Sequence, residues 1–117
     1  MQDFKNLRVW QKAHELALFT YAITADFPKE ELFGLRSTLR KTAVDIPAYI
    51  AEGAAKPNDV EHGRSISTAL ALGNRLEYFA LVARDLTFLN EAVHADYTSR
   101  IVEVRKMLSG FNRRLDG

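Results

Sequence analysis

The segment from Leu39 to Gly53 constrains the fold of this 117-residue chain more than any other stretch. Its apolar and small residues recur at spacings of four, three, four and three, which is typical of a helix that buries one face against neighbouring helices. These residues are Leu39, Ala43, Ile46, Ile50 and Gly53. Pro47 lies within the repeat, where it cannot donate a backbone hydrogen bond, at a cost of about 3 kcal/mol. A break there would leave a second piece too short to be stable by propensity alone, so the pattern predicts one long helix with a kink at Pro47.

A first amphipathic helix is predicted over Leu7 to Phe27, with Asp3 or Asn6 as its N-cap. It ends at Phe27 because the residue before a proline, here Pro28, is disfavoured in the helical conformation. Its core-facing positions again follow the spacing of three and four: Val9, Ala13, Leu16, Thr20, Ile23 and Phe27. The second helix then begins near Leu35, after a short polar turn.

A third helix is predicted from a cap at Asn58 or Asp59 to about Leu89, and a fourth follows a cap at Asn90. The core-facing residues of the third helix are mostly small: Ile66, Ala69, Gly73, Leu76, Ala80 and Ala83. Those of the fourth are larger: Tyr97, Ile101, Val104, Leu108, Phe111 and Leu115. The predicted fold is therefore all-α, an antiparallel up-and-down four-helix bundle in one domain that spans residues 1–117.

Four stretches of this sequence resemble one known family. They are FKNLRVWQKAHELA at 4–17, FPKEELFGL at 27–35, LRKTAVDIPAYIAEG at 39–53 and LALGNRLEY at 70–78. Over nearly its whole length the chain is similar to the four-helix bundle proteins of the 23S rRNA intervening-sequence family, of which the stretch around IPAYIAEG is the most specific part. It departs from the family pattern at Asp45, where Ser is usual, at Tyr49, where Asn is usual, and around Thr38, where Gln is usual.

The resemblance implies a ring of subunits, usually a pentamer, with no established enzymatic activity and a suspected link to RNA or DNA. The related accessory proteins of diversity-generating retroelements act as a basic ring beside a reverse transcriptase. That relation implies a polymerase-type protein as a further partner.

Some large apolar residues lie outside the predicted core-facing positions. They are Trp10, Phe19 and Tyr21 in the first helix, and Leu72, Phe79 and Leu86, spaced by seven, in the third. One small bundle cannot cover this much additional apolar surface, so these six residues are predicted to form a homo-oligomer interface.

The net charge of +1 gives no global attraction for nucleic acid, but basic residues cluster locally. One cluster is Arg36, Arg40 and Lys41, and the other is Arg105, Lys106, Arg113 and Arg114. Two interpretations stay open for both clusters. Each is either a solvated face with weak ion pairs or a phosphate-binding surface that a ring repeats around its axis.

Motifs for catalysis and metal binding are scarce. The chain has no cysteine, and its single Glu-x-x-His motif, at Glu91 and His94, lacks the second copy that a di-iron bundle requires. No catalytic, cofactor-binding or metal-binding residue is predicted, and no stretch of about 20 apolar residues predicts a membrane span. We therefore expect a cytoplasmic, non-enzymatic scaffold that forms a ring. The alternative is a nucleic-acid-binding accessory protein that uses the basic clusters.

Overall fold

The computed structural model describes residues 3–116, so the predicted domain extends beyond the described residues at Met1, Gln2 and Gly117. Four α-helices account for most of the described chain: α1 (Arg8–Thr24), α2 (Leu35–Ala54), α3 (Asp59–Asp85) and α4 (Glu91–Asp116). Short 3-10 helices lie at Phe4–Asn6 and Lys29–Glu31, and residues 3–116 contain no strand. The predicted all-α class with four helices is confirmed.

Each helix packs against two others, so that the four surround one shared core. Helix α1 contacts α2 and α4, and helix α3 contacts the same two. The predicted core-facing residues of α2 and α3 are all buried, which confirms both patterns. In α4 the pattern is fully buried from Tyr97 to Leu108, whereas Phe111 and Leu115 near its end are only partly buried. None of the helices within residues 3–116 combines the length and the apolar character needed to cross a bilayer.

The N-terminal cap of α1 differs from the prediction. The Asp3 side chain accepts a hydrogen bond from the Lys5 backbone N–H, and thereby caps the short 3-10 helix that precedes α1. Leu7 occupies the N-cap position of α1 and makes no side-chain hydrogen bond there. The prediction of Asp3 or Asn6 as the cap of α1 was therefore wrong, because a separate 3-10 helix at Phe4–Asn6 precedes α1. The α-helix also ends at Thr24 rather than at the predicted Phe27.

Helix α2 is continuous through Pro47, which is buried inside it. The predicted single helix is confirmed, as is its start at Leu35. Glu31 stabilises that start, because its Oε1 accepts a hydrogen bond of 2.9 Å from the Leu35 backbone N–H. The missing hydrogen bond at Pro47 is thus accommodated without ending the helix.

Helix α3 ends at Asp85, four residues before the predicted end at Leu89. Thr87 has a φ of 66°, in the left-handed region that a helix interior does not allow. The Phe88 backbone N–H donates to the Ala83 carbonyl at 2.8 Å, a pattern that closes the last helical turn. The apolar character of Phe88 and Leu89 concealed this stop, because both residues still pack against the core.

Two predicted asparagine caps are confirmed. Asn58 Oδ1 accepts from the Glu61 backbone N–H at 2.9 Å at the start of α3. Asn90 Oδ1 accepts from the Val93 backbone N–H at 2.8 Å at the start of α4. Both side chains satisfy donors that the first turn of a helix leaves unpaired.

Candidate functional site

The basic cluster of α4 divides into one paired and three available cations. Arg105 Nη1 donates to Glu77 Oε1 at 2.5 Å and to Asn74 Oδ1 at 2.7 Å, so this guanidinium ties α4 to α3. Lys106, Arg113 and Arg114 are exposed, and among the side chains of residues 3–115 no carboxylate oxygen lies within 4.0 Å of their charged nitrogens. The latter three residues can therefore meet an external anion.

Two grooves flank these cations. The first, here called the α1/α4 groove, has a volume of about 500 Å³ and carries three cations, Arg8, Lys106 and Arg114. Its apolar lining is formed by Leu7, Val9, Met107 and Phe111. The second, the α3/α4 groove, is lined by three cations together with Leu70 and with polar or small residues of α3 and α4. The three cations are Arg105, Lys106 and Arg113. Lys106 stands on the ridge between the grooves, since it lines both.

Arg8 joins this basic surface although the sequence analysis did not single it out. It is the first residue of α1 and lies far from the α4 cluster in sequence. Only the packing of α1 against α4 brings it beside Lys106 and Arg114. No local pattern in the sequence signals this proximity.

The three cations of the α2 cluster have different surroundings. Arg40 Nε donates to Thr24 Oγ1 at 2.9 Å, Arg40 Nη2 donates to the Tyr21 carbonyl at 3.1 Å, and the guanidinium lies 4.4 Å from the centre of the Tyr21 ring, so Arg40 holds α2 against the C-terminal end of α1. Lys41 pairs with Asp45 of the same helix at 3.2 Å, and Arg36 is partly buried, with no hydrogen-bond partner for its Nε among the described residues. Only Lys41 of the three is exposed, so the α2 cluster offers less free charge than the α4 cluster.

The two clusters lie at opposite ends of α1. Arg8 begins that helix beside the α4 cluster, and Thr24 ends it beside Arg40. The two positions are sixteen helical steps apart, a distance of roughly 24 Å at 1.5 Å per step. The structure therefore does not merge the predicted basic residues into one surface.

The predicted interface residues differ in exposure. Tyr21 and Leu86 are 45% and 51% exposed, whereas Trp10, Phe19, Leu72 and Phe79 are partly buried against the core. The Trp10 ring stacks on His14 with 5.0 Å between the ring centres. Much of the aromatic surface that the sequence assigned to an interface is thus covered within one chain.

Other large apolar side chains are also exposed. Leu18, Val44, Val60, Tyr78 and Leu32 range from 42% to 66%, and Phe33 reaches 93%. The sequence places Leu18 outside the core-facing positions of α1, three residues before Tyr21 on one helical face. The others were missed because they fall on the polar sides of the predicted helices or in the turn before α2.

A buried polar ladder joins α1 to α4 and α2. Thr20 Oγ1 donates to the Leu16 carbonyl at 2.8 Å, and it lies 2.6 Å from the Tyr97 hydroxyl. With the Thr20 proton directed to Leu16, the Tyr97 hydroxyl donates to Thr20. Burial raises the pKa of Tyr97 well above its ordinary value, and the hydrogen bond between Tyr97 and Thr20 lowers it by less. Tyr97 therefore stays protonated and acts as a structural donor.

His62 is a second buried polar group, at the end of the bundle where α2, α3 and α4 meet. Its Nε2 is buried with no hydrogen-bond partner, and its ring lies edge-on to Phe111 with 5.1 Å between the ring centres. Burial lowers the pKa of His62, and the nearby Asp59 partly opposes this shift. The part of the chain that the structure describes holds no group of three or more side chains placed to bind a metal ion.

The fold defines a helical-bundle protein with two basic grooves on its surface. Its buried polar side chains Thr20 and Tyr97 form a hydrogen bond that joins two helices. Residues 5–110 match the model of the 23S rRNA-intervening sequence protein family, and the chain belongs to this family. The resemblance stated from the sequence is confirmed at this level. No curated protein matches the chain.

Proposed function

We propose that this protein is a non-enzymatic scaffold whose four helices alternate in direction and whose copies assemble into a ring, with five subunits as the family resemblance implies. The short connections between packed helices, residues 55–58 and 86–90, favour the antiparallel arrangement. A bend of α2 at Pro47, where one backbone hydrogen bond is missing, would shape the surface that neighbouring copies meet. The cytoplasm is the proposed location.

The observation that carries this proposal is the exposed apolar strip shared by α1 and α2. Leu18, Tyr21 and Val44 are 58%, 45% and 42% exposed. Arg40 stacks on Tyr21, so this part of α2 lies directly beside the strip on α1. Surface of this kind favours association, because burial of apolar area is worth about 25 cal/mol per Å².

Sedimentation equilibrium at micromolar concentrations tests the assembly. We expect a mass several times the 13.2 kDa of one chain. Leu18→Lys should lower that mass by placing a charge in the strip, whereas Val60→Lys, at an equally exposed apolar position on α3, should leave it unchanged. A monomeric wild-type protein throughout this range would contradict the proposal.

We further propose, as a second function, an accessory role in which the ring contacts the phosphates of RNA or DNA beside a polymerase-type protein, as the likeness to retroelement accessory proteins suggests. The supporting observation is that Lys106, Arg113 and Arg114 are exposed without a carboxylate partner among the side chains of residues 3–115. A ring would repeat these charges around its axis and multiply weak contacts.

Fluorescence anisotropy with labelled RNA and DNA tests this second role. The triple variant Lys106→Gln, Arg113→Gln, Arg114→Gln should bind both nucleic acids more weakly, with little dependence on sequence. Each lost phosphate contact should flatten the slope of log affinity against log salt by about 0.7 to 0.9. The control Lys41→Gln removes a cation that already pairs with Asp45, so it should change affinity little. Absence of wild-type binding at about 50 mM salt would remove this function.

A further inference from the structure

The turn before α2 presents the most exposed large apolar side chain among the described residues. Phe33 is 93% exposed and its neighbour Leu32 is 46% exposed. Glu30 and Glu31 precede them, and Glu30 is exposed while Glu31 is partly buried. We call residues Glu30–Phe33 the acidic loop. The acidic loop thus presents an exposed aromatic ring next to two carboxylates.

Local hydrogen bonds stabilise the conformation of the acidic loop. The Glu31 backbone N–H donates to the Pro28 carbonyl at 2.9 Å, and the Gly34 backbone N–H donates to the Glu31 carbonyl at 3.1 Å. The Glu31 side chain also caps α2 at Leu35. A rigid loop loses little conformational entropy on binding, so its exposed aromatic ring is well suited to act as an anchor.

The α1/α4 groove is complementary to this loop. Its apolar lining includes Met107 and Phe111, and its three charged lining residues, Arg8, Lys106 and Arg114, are all cations. The groove therefore matches an apolar side chain flanked by carboxylates, both in its apolar surface and in the sign of its charge.

Loop and groove of one chain cannot meet. The loop follows the C-terminal end of α1, whereas the groove includes Arg8 at its N-terminal end. The 17 residues of α1 separate them, which corresponds to roughly 25 Å. A contact between these two surfaces must therefore join different molecules.

We propose that the acidic loop of one copy docks into the α1/α4 groove of a neighbouring copy, with Phe33 against Met107 and Phe111 and with Glu30 beside Lys106. This inference rests on the proposed self-assembly and adds a directional contact to the apolar strip of α1 and α2. Because the two surfaces differ, the contact is directional, and repetition of such a contact generates a closed ring or an open filament.

Cross-linking with introduced cysteines tests the contact directly, because the chain has none of its own. The cysteines are placed beside the contact residues, so that Phe33, Met107 and Phe111 are retained. Protein carrying Leu32→Cys is mixed with protein carrying Gly110→Cys, which lies in the groove and has room for a side chain, and disulfide formation is followed on non-reducing gels. The control mixture replaces Gly110→Cys by Val60→Cys, at an exposed position on α3. We expect the 32–110 dimer to form at least several-fold faster than the 32–60 dimer. Equal rates would overturn the docking proposal even if the wild-type protein is an oligomer, whose mass tests the scaffold function separately.

A charge exchange between Glu30 and Lys106 tests the electrostatic part of the contact. Glu30→Lys on the loop-bearing protein, or Lys106→Glu on the groove-bearing protein, should each slow the 32–110 cross-link several-fold. Both residues are exposed, so circular dichroism should show unchanged helix content. Combining the two changes restores opposite charges and should restore the rate. A combined mixture as slow as the slower single exchange would refute the pairing of Glu30 with Lys106.

Discussion

Gly53→Ala is the substitution whose effect on stability follows most directly from the structure. Gly53 lies in the last turn of α2, where that helix meets α3. A Cβ added there would lie 2.9 Å from His62 Cδ2 and 2.9 Å from Ser65 Cβ. Neither neighbour can move away easily, since Ser65 Cβ is fixed by the α3 backbone and the His62 ring packs against Phe111. The two helices must therefore separate.

The expected magnitude is a balance of two terms. Overpacking of a core costs about 1 to 3 kcal/mol, whereas alanine in place of glycine favours a helix by at most about 1 kcal/mol and by less in its last turn. Gly53→Ala should therefore lower the free energy of unfolding by about 1 to 2 kcal/mol. That loss corresponds to a decrease in Tm of roughly 4 to 8 °C.

Gly110→Ala provides the matched control. A Cβ at Gly110 would meet only Arg113 Nη2, at 3.9 Å, and none of the glycines within residues 3–116 has a positive φ. Only the propensity term remains there, so Gly110→Ala should stabilise the protein by about 0.5 to 1 kcal/mol. Urea unfolding followed by circular dichroism, at one fixed protein concentration, measures both variants. A Gly53→Ala protein as stable as wild type would refute the inference of close packing between α2 and α3.

Three further substitutions test buried positions by the same unfolding measurement. Tyr97→Phe removes the donor to Thr20 and should cost about 1 kcal/mol, since Thr20 keeps its bond to Leu16; no loss would contradict a structural role for the hydroxyl. His62 has a pKa lowered by burial, so the unfolded state binds more protons and the free energy of unfolding should fall as pH decreases below about 6.5. His62→Gln should make the free energy of unfolding depend less steeply on pH in this range. An unchanged pH dependence would show that another group is responsible for it. Pro47→Ala restores a helix hydrogen bond but removes buried ring atoms worth about 0.8 kcal/mol per methylene, so stability should stay equal or rise by up to about 1.5 kcal/mol. Outright unfolding of the Pro47→Ala protein at room temperature would show that the proline is required.

The core could be predicted from the sequence because the spacing of apolar residues reports burial directly. Every predicted core-facing residue of α2 and α3 is buried, and the caps at Asn58 and Asn90 form as expected. These features depend on residues close to one another in the chain. Local pattern and final structure therefore agree.

Features that depend on contacts between distant residues could not be predicted. Arg105 is next to Lys106 in the sequence, yet Arg105 forms an ion pair with Glu77 of α3. Arg8 carries no local signal, yet the packing of α1 on α4 adds it to the basic surface. The end of α3 was missed for a related reason. The left-handed conformation at Thr87 is imposed on a residue with no preference for it.

The two proposed roles draw on the same cations. If an acidic loop from a neighbouring copy occupies the α1/α4 groove, it neutralises Lys106 and Arg114 there and excludes phosphate from that groove. Arg113 lines only the α3/α4 groove, so it would stay available to nucleic acid in the assembled protein. Assembly would then restrict nucleic-acid contacts to the α3/α4 groove. Conversely, nucleic-acid phosphates bound in the α1/α4 groove would weaken assembly, because two ligands that compete for one site lower each other's affinity by the same factor.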